Sequence, residues 1–233
     1  VPGLIGSDGI VRSSVNLRPL EGLNLANLLK SRVAVPVVAA NDANLIALGE
    51  AQAGAGCGMQ SLVVVTIGTG LGSGLILKGR LWSGVDGFAA EFGHTTVVAE
   101  GLPCPCGNRG CLEQYVSAAA LSRYGGGRAP EELAAAARVG EPDAVAAFAK
   151  LGYWLGTALA GLVNILNPEC ILVGGGVAAG YDLFEPSLIE QLQRRSFPQV
   201  AERVVVRRAA LGDDAGLVGA ALLAGGAEIA AAW

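Results

Sequence analysis

Between residues 91 and 113 the chain reads Glu-Phe-Gly-His, a short spacer, then Cys-Pro-Cys-Gly-Asn-Arg-Gly-Cys-Leu-Glu. This stretch holds the only histidine, His94, and three of the five cysteines, Cys104, Cys106 and Cys111. Three soft thiolates and one imidazole so close together form a donor set for a tetrahedral zinc of the Cys₃His type. The C-x-C and C-x₄-C spacings bring the sulfurs together only where the backbone turns sharply. Gly107 and Gly110 allow such turns, because glycine takes positive φ at little cost. Four protein ligands leave no open coordination position, so the metal is predicted to be structural and not an activator of water. The plainer reading, reduced cysteines in a core, fits a cluster this dense less well. Glu91 and Glu113 flank the cluster, so whatever folds here holds two acids at the ends of a metal knot.

The odd cysteine count, with three in one cluster, favours metal-bound thiolates in a reducing compartment over a disulfide framework. At 233 residues, 52% of them apolar and 15% charged, the chain has material for one large globular domain or two modest ones. The net charge of −4 and the lack of a basic run argue against a nucleic-acid surface. No uncharged apolar stretch of roughly 18 residues has spanning character. The nearest, residues 151–166, is interrupted by glycines and followed by Asn167-Pro168.

In chain order, residues 1–18 read as a hairpin, and residues 21–31 as a helix with Asn24 as a candidate N-cap. Val33–Ala40 is a nearly continuous apolar run, read as a buried strand. It is followed by Asn41-Asp42-Ala43-Asn44 and a helix ending at Gly54. Ser61–Ile67 reads as a buried strand, and Gly68-Thr69-Gly70-Leu71-Gly72-Ser73-Gly74 joins it to a second strand at Leu75–Leu77. Lys78-Gly79 then turns into Arg80–Trp82. Because this glycine run leads into a strand, it is not the G-x-G-x-x-G of a dinucleotide fold, and no Gly-Lys-Ser/Thr makes it a Walker loop. Beyond the cluster come a helix at Glu113–Tyr124 and another at Pro130–Arg138 opened by its proline. A long helix follows at Pro142–Leu166, then a strand at Cys170–Val173 running into Gly174-Gly175-Gly176. A helix at 182–195, a strand at 203–207 and a terminal helix at about 214–232 complete the order. Alternating strands and helices with glycines at strand ends predict an α/β fold.

Each remaining constellation has a plain reading beside the chemical one. Asp42 is an N-cap or, at the end of a strand, a carboxylate able to take a proton from a hydroxyl. Glu91 and Glu113 are surface groups or, held by one metal knot, acids that bind a polyol. The Gly68–Gly74 loop is a tight turn or, with Thr66 and Thr69, a backbone cradle for phosphate. Gly174–Gly176 is a helix-approach site or an open surface on which a nucleobase packs. Asp213-Asp214 is expected to cap the terminal helix, and Cys57 and Cys170 to be ordinary turn and core residues.

Taken together, Asn41-Asp42-Ala43-Asn44, Gly68-Thr69-Gly70, Glu91-Phe92-Gly93-His94, the segment from Cys104 to Glu113 and Gly174-Gly175-Gly176 resemble the ROK family. That family comprises bacterial sugar kinases, typified by glucokinase, and related sugar-responsive repressors. The likeness runs from Pro2-Gly3 to the end of the chain. It implies an α/β actin-like ATPase (ribonuclease H-like) fold of two lobes with sugar and ATP in the cleft. Residues 1–45 would be a remnant of the small N-terminal lobe, 46–213 the large lobe, and 214–233 a terminal helix returning to the small lobe. Asp42 would match the catalytic base. Asn41, Glu91, His94 and Glu113 would match hydroxyl-binding positions. Gly68, Thr69, Gly70 and Gly175 would match nucleotide-binding positions, and His94, Cys104, Cys106 and Cys111 the ligands of a structural Zn²⁺.

The implied activity is phosphorylation of a hexose hydroxyl by ATP with Mg²⁺, in the cytoplasm, by a homodimer or homotetramer. The implied partners are small molecules, with no membrane and no nucleic acid bound by this chain. The family's kinases begin with an Asp-x-Gly-Gly-Thr hairpin that nothing here matches. The first part of the N-terminal lobe is therefore expected to be missing, and the 233 residues alone are expected to be inactive. The alternative is the sugar-sensing domain of a ROK transcriptional repressor. Retention of Asp42 and both glycine segments favours the kinase, since a sensor needs only the sugar contacts.

Overall fold

The computed structural model describes residues 1–30, 32–227 and 229–230. The elements are β1 (Leu4–Ile5), β2 (Val11–Ser13), α1 (Leu25–Lys30), α2 (Asp42–Ala53), β3 (Ser61–Ile67), β4 (Leu71–Leu77) and β5 (Arg80–Trp82). They continue as α3 (Ala118–Tyr124), α4 (Pro130–Arg138), α5 (Pro142–Leu166), β6 (Cys170–Gly174), α6 (Tyr181–Arg195), α7 (Pro198–Ala201), β7 (Val205–Arg208), α8 (Ala215–Ala224) and β8 (Ile229–Ala230). They fall into two compact units that interleave along the sequence. The first gathers residues 1–64, 73–91 and 209–233; the second gathers 65–72 and 92–208.

In the first unit β1 and β2 form a two-stranded antiparallel sheet, the expected hairpin. A second strand order runs β3-β4-β5-β8. Here β4 and β5 are antiparallel through the Lys78-Gly79 turn, with Leu75 opposite Trp82, and β5 is parallel to β8. Helix α2 lies against α8. A Cβ on Gly219 would run into the Leu45 carbonyl, and one on Gly49 into that of Ala215, so the small residues set how closely these helices pack.

In the second unit the order is β7-β6-β3, with β6 and β7 parallel and Cys170 opposite Val205. Every residue of β6 is buried, as a strand covered on both faces requires. Helix α5 supplies the core: Phe148, Leu151, Leu155, Leu159 and Val163 are buried at helical spacing. Burial of each is worth about 1.5–3 kcal/mol. By length and composition α5 would qualify to cross a membrane. With its apolar face in the protein core and packed on α6, it is a core helix.

Four expectations are corrected. Residues 33–40 form no strand: Val35 and Val38 are 62% and 61% exposed, and Pro36 lacks the N–H a ladder needs. Hydrophobicity alone does not make a strand where no neighbour pairs with it. β4 begins at Leu71, not Leu75, so Gly72 and Gly74 lie inside a strand and the loop shrinks to Gly68–Gly70. The stretch after Cys111 is not one helix but a 3₁₀ turn at Leu112–Gln114 followed by α3, which Ser117 caps by accepting from the Ala120 N–H. The terminal helix stops at Ala224, where Gly225-Gly226 intervenes with Gly226 at φ +96°. Asp214 sits at the N-cap of α8 but makes no side-chain cap bond. Residues 228 and 231–233 of that expected helix lie outside the described residues.

Candidate active site and metal knuckle

The four candidate metal donors assemble in the second unit on a small antiparallel knuckle. Residues 95–97 run beside 110–112: the Val97 N–H donates to the Gly110 carbonyl and the Leu112 N–H to that of Thr95. His94 ends a 3₁₀ turn at Phe92–His94 on one side, and Cys111 stands on the other. Cys104 and Cys106 sit in a tighter turn closed by bonds from Gly107 N–H to the Cys104 carbonyl and from Cys104 N–H to the Asn108 carbonyl. Gly107 and Gly110 have φ of +96° and +72°, the turning role expected of them.

The four donor atoms lie within 4.8 Å of one another. Cys104 Sγ is 3.7 Å from His94 Nδ1, and Cys106 Sγ is 3.7 Å from Cys111 Sγ. Bond lengths of 2.3 Å to sulfur and 2.0–2.1 Å to nitrogen in a tetrahedron require edges of about 3.6–3.8 Å. The donor chemistry and these two edges suit zinc, and the sulfur separation is far too long for a disulfide. Two amides face the sulfurs: Asn108 Nδ2 donates to Cys111 Sγ at 3.3 Å and Gln114 Nε2 to Cys104 Sγ at 3.6 Å. Burial pushes the Cys104 thiol up. Burial, aided by hydrogen bonds with Cys106 and Cys104, pushes Cys111 up to about 12. Burial also opposes ionisation of Cys106, but the hydrogen bonds from the Asn108 backbone and the other two thiols outweigh it, so Cys106 is lowered. Cys106 is thus the most readily ionised of the three thiols, and a cation would favour all three as thiolates.

The predicted nucleotide residues also come together in this unit. The loop Gly68–Gly70 is closed by a bond from the Gly68 N–H to the Gly70 carbonyl. Gly175, at φ +84°, follows β6, and a Cβ there would lie 2.7 Å from the Ile67 nitrogen. Only glycine fits that approach, which brings the turn after β6 against the residue preceding the loop. Glu113 Oε2 accepts the Leu71 N–H at 3.0 Å, so this acid is held at the glycine loop.

Asn41, Asp42 and Glu91 lie in the first unit. The N-cap of α2 is Asn41 and not Asp42. Asn41 Oδ1 accepts the Asn44 N–H at 3.1 Å, and its Nδ2 donates to the Gly3 carbonyl at 2.9 Å. Asp42 is the first residue of the helix, exposed, with Oδ1 accepting the Ala43 N–H. Oδ2 has no partner among the described residues. Two unforeseen features occur here. Asn44 is buried, and its Oδ1 has no partner among the described residues. Ala90, immediately before Glu91, has φ +70°, a region costly for a residue with a Cβ. The buried Ser73 hydroxyl donates to the Ala90 carbonyl and so holds the backbone that carries Glu91. A serine in a glycine-rich strand gives no sequence signal of that task.

Residues 1–227 match the ROK family. The chain belongs to that family. A ROK chain of this kind is similar, at 35% identity over 239 residues, to a glucokinase of Halalkalibacterium halodurans, covering 94% of this chain and 72% of that one. Among solved structures, a ROK family glucokinase from Streptomyces griseus in complex with glucose and AMPPNP superposes with a TM-score of 0.83 at 36% identity, over 95% of this chain and 78% of that one. A ROK family transcriptional regulator, a homologue of the E. coli MLC protein, superposes with a TM-score of 0.86 at 31% identity, over 96% and 60%. The α/β fold is that of the actin-like ATPases, as the resemblance implied.

Proposed function

We propose that this chain is the body of an ATP-dependent hexose kinase, glucokinase-like in chemistry, with a structural zinc bracing the sugar site. The observation that carries the reading is the joint presence of an exposed carboxylate at the start of α2 and of a glycine loop whose preceding residue, Ile67, is closely approached by Gly175. A sugar sensor has use for neither. The likeness to glucokinases supports the same reading.

In this reading Asp42 is the general base. It accepts the proton of one sugar hydroxyl as that oxygen attacks the γ-phosphorus of ATP. The bond from γ-phosphorus to the β,γ-bridging oxygen breaks and ADP leaves. Mg²⁺ accompanies the nucleotide. Phosphoryl transfer asks chiefly for positioning and for stabilisation of spread charge. Gly68, Thr69, Gly70 and Gly175 offer backbone to the nucleotide. Glu91, His94 and Glu113 offer polar atoms to sugar hydroxyls. His94 turns Nδ1 toward Cys104, so Nε2 is the atom for the sugar. Asn41 can add the second N–H of Nδ2 and the second lone pair of Oδ1, because one of each already binds Gly3 and Asn44.

Zinc, held by His94, Cys104, Cys106 and Cys111, supplies rigidity and charge neutralisation to the knuckle. In this reading the protein is cytoplasmic, is a homodimer or homotetramer, and binds neither membrane nor nucleic acid through this chain.

The test is ADP production from ATP by the full-length protein over a panel of hexoses. Sugar-dependent ADP supports the kinase. Sugar binding without any turnover gives the alternative, the sensing domain of a ROK repressor, which the likeness to the regulator supports.

A further inference from the structure

We infer that Glu113 is a positioning residue that couples the metal knuckle to the glycine loop between β3 and β4. Residues 111–118 touch that loop at both ends. Glu113 Oε2 accepts the N–H of Leu71, which follows the loop, at 3.0 Å. The Ala118 N–H donates to the carbonyl of Gly68, which opens it, at 2.9 Å. The same short segment is tied to the metal donors. It begins at Cys111, the N-cap of the Leu112–Gln114 turn, and Gln114 Nε2 donates to Cys104 Sγ. Leu112, fully buried between these two contacts, anchors the turn in the core.

Gly70 completes the arrangement, because a Cβ there would strike Glu113 Oε2. The carboxylate thus sits in space that a side chain at position 70 would contest, and a single residue, Leu112, separates it from Cys111. A 3₁₀ turn this short has little slack. Metal that fixes Cys104 and Cys111 fixes the turn, and the turn fixes the loop. Loss of the metal frees the Gln114 contact first and then the Leu71 N–H. The inference rests on the metal reading above for its coupling, but the Glu113–Leu71 contact stands on geometry alone. Oε1 has no partner among the described residues and remains available to a ligand.

Amide hydrogen exchange by NMR on the full-length protein, zinc-loaded and chelated, tests this, with metal content measured in each state. The Leu155 and Leu159 amides of α5 serve as reports of an intact fold. In wild type, chelation should speed exchange at Leu71 by about tenfold or more, since the bond lost is to a charged acceptor, while the α5 amides stay protected. In Glu113→Ala, Leu71 should exchange fast with or without metal. In Glu113→Gln, whose Oε1 can still accept, protection and its metal dependence should partly return.

A Leu71 amide as protected in Glu113→Ala as in wild type overturns the clamp. Confirmed metal loss that leaves wild-type Leu71 unchanged overturns the coupling. A protein that binds no zinc refutes the metal reading itself, and the alanine variant still tests the clamp. If that variant loses α5 protection, wild-type chelation and the glutamine variant decide.

Discussion

Glu50 shows how much one side chain can hold. It is fully buried in α2, where Oε2 accepts the N–H groups of Ala55 and Ala210 and Oε1 accepts that of Leu211 at 2.7 Å. Three backbone donors, two of them about 160 residues away in sequence, thus close on one carboxylate. Glu50→Ala leaves them unpaired in the interior and should destabilise the protein by about 3 kcal/mol, read as a shift of the urea midpoint with little change in slope. An equal midpoint would show the donors finding other partners. Asp42 illustrates the opposite case, an exposed residue whose one side-chain bond, from the Ala43 N–H in the first turn of α2, gives it only a small part in stability. Asp42→Ala should lower turnover of the full-length kinase by about 10²–10⁴-fold while sugar affinity, measured calorimetrically, stays within a few fold. Unchanged turnover would remove it as the base. Asp42 was singled out because its neighbours form a motif. Glu50 and Ser73 were not, because their partners are backbone groups that only the folded chain brings near.

Helices α5 and α6 join at two glycines where side chains would intrude. A Cβ on Gly152 would meet the Phe184 carbonyl and one on Gly156 that of Leu188. Gly156→Ala should therefore push the helices apart and cost about 1–3 kcal/mol, despite alanine's better helix propensity. A variant as stable as wild type would show that the helices can shift at no cost. The length of α5 was readable from its apolar spacing, and the strand β3 from a continuous Val-rich run that is buried nearly throughout. The same reading failed for residues 33–40, where an apolar run has no strand beside it, and for the terminal helix, where Gly225-Gly226 outweighs the surrounding alanines. Glu113 and Gln114, of the 3₁₀ turn at Leu112–Gln114, were read as the start of the helix that runs to Tyr124. The geometry of the turn is instead set by Cys111 before it and by the contacts of Glu113 and Gln114.

At the scale of the whole molecule, the two units interleave because strands β3 and β4 have residues in both, and a linear reading of composition does not reveal such sharing. The metal donors were legible because their spacing is local. What they do for stability depends on proton linkage. Cys104 and Cys111 are raised, so each carries a proton at neutral pH and must release it to bind a cation; Cys106 is lowered and releases its own earlier. Metal binding should therefore displace about two to three protons. The sign follows: lowering the pH favours the protonated, metal-free cluster, and raising it favours the loaded protein. Where two protons are displaced, affinity changes about a hundredfold per pH unit, or about 2.7 kcal/mol. At fixed free zinc this passes into folding stability by mass action. The melting temperature gained on adding zinc should thus grow steadily from pH 6 to pH 8, with proton release confirmed by calorimetry in buffers of different ionisation enthalpy. The Cys111→Ser variant should lose most of that gain at every pH. A zinc-dependent gain that does not vary with pH would mean that the thiols are not the ligands, and that the four donors converge for some other reason.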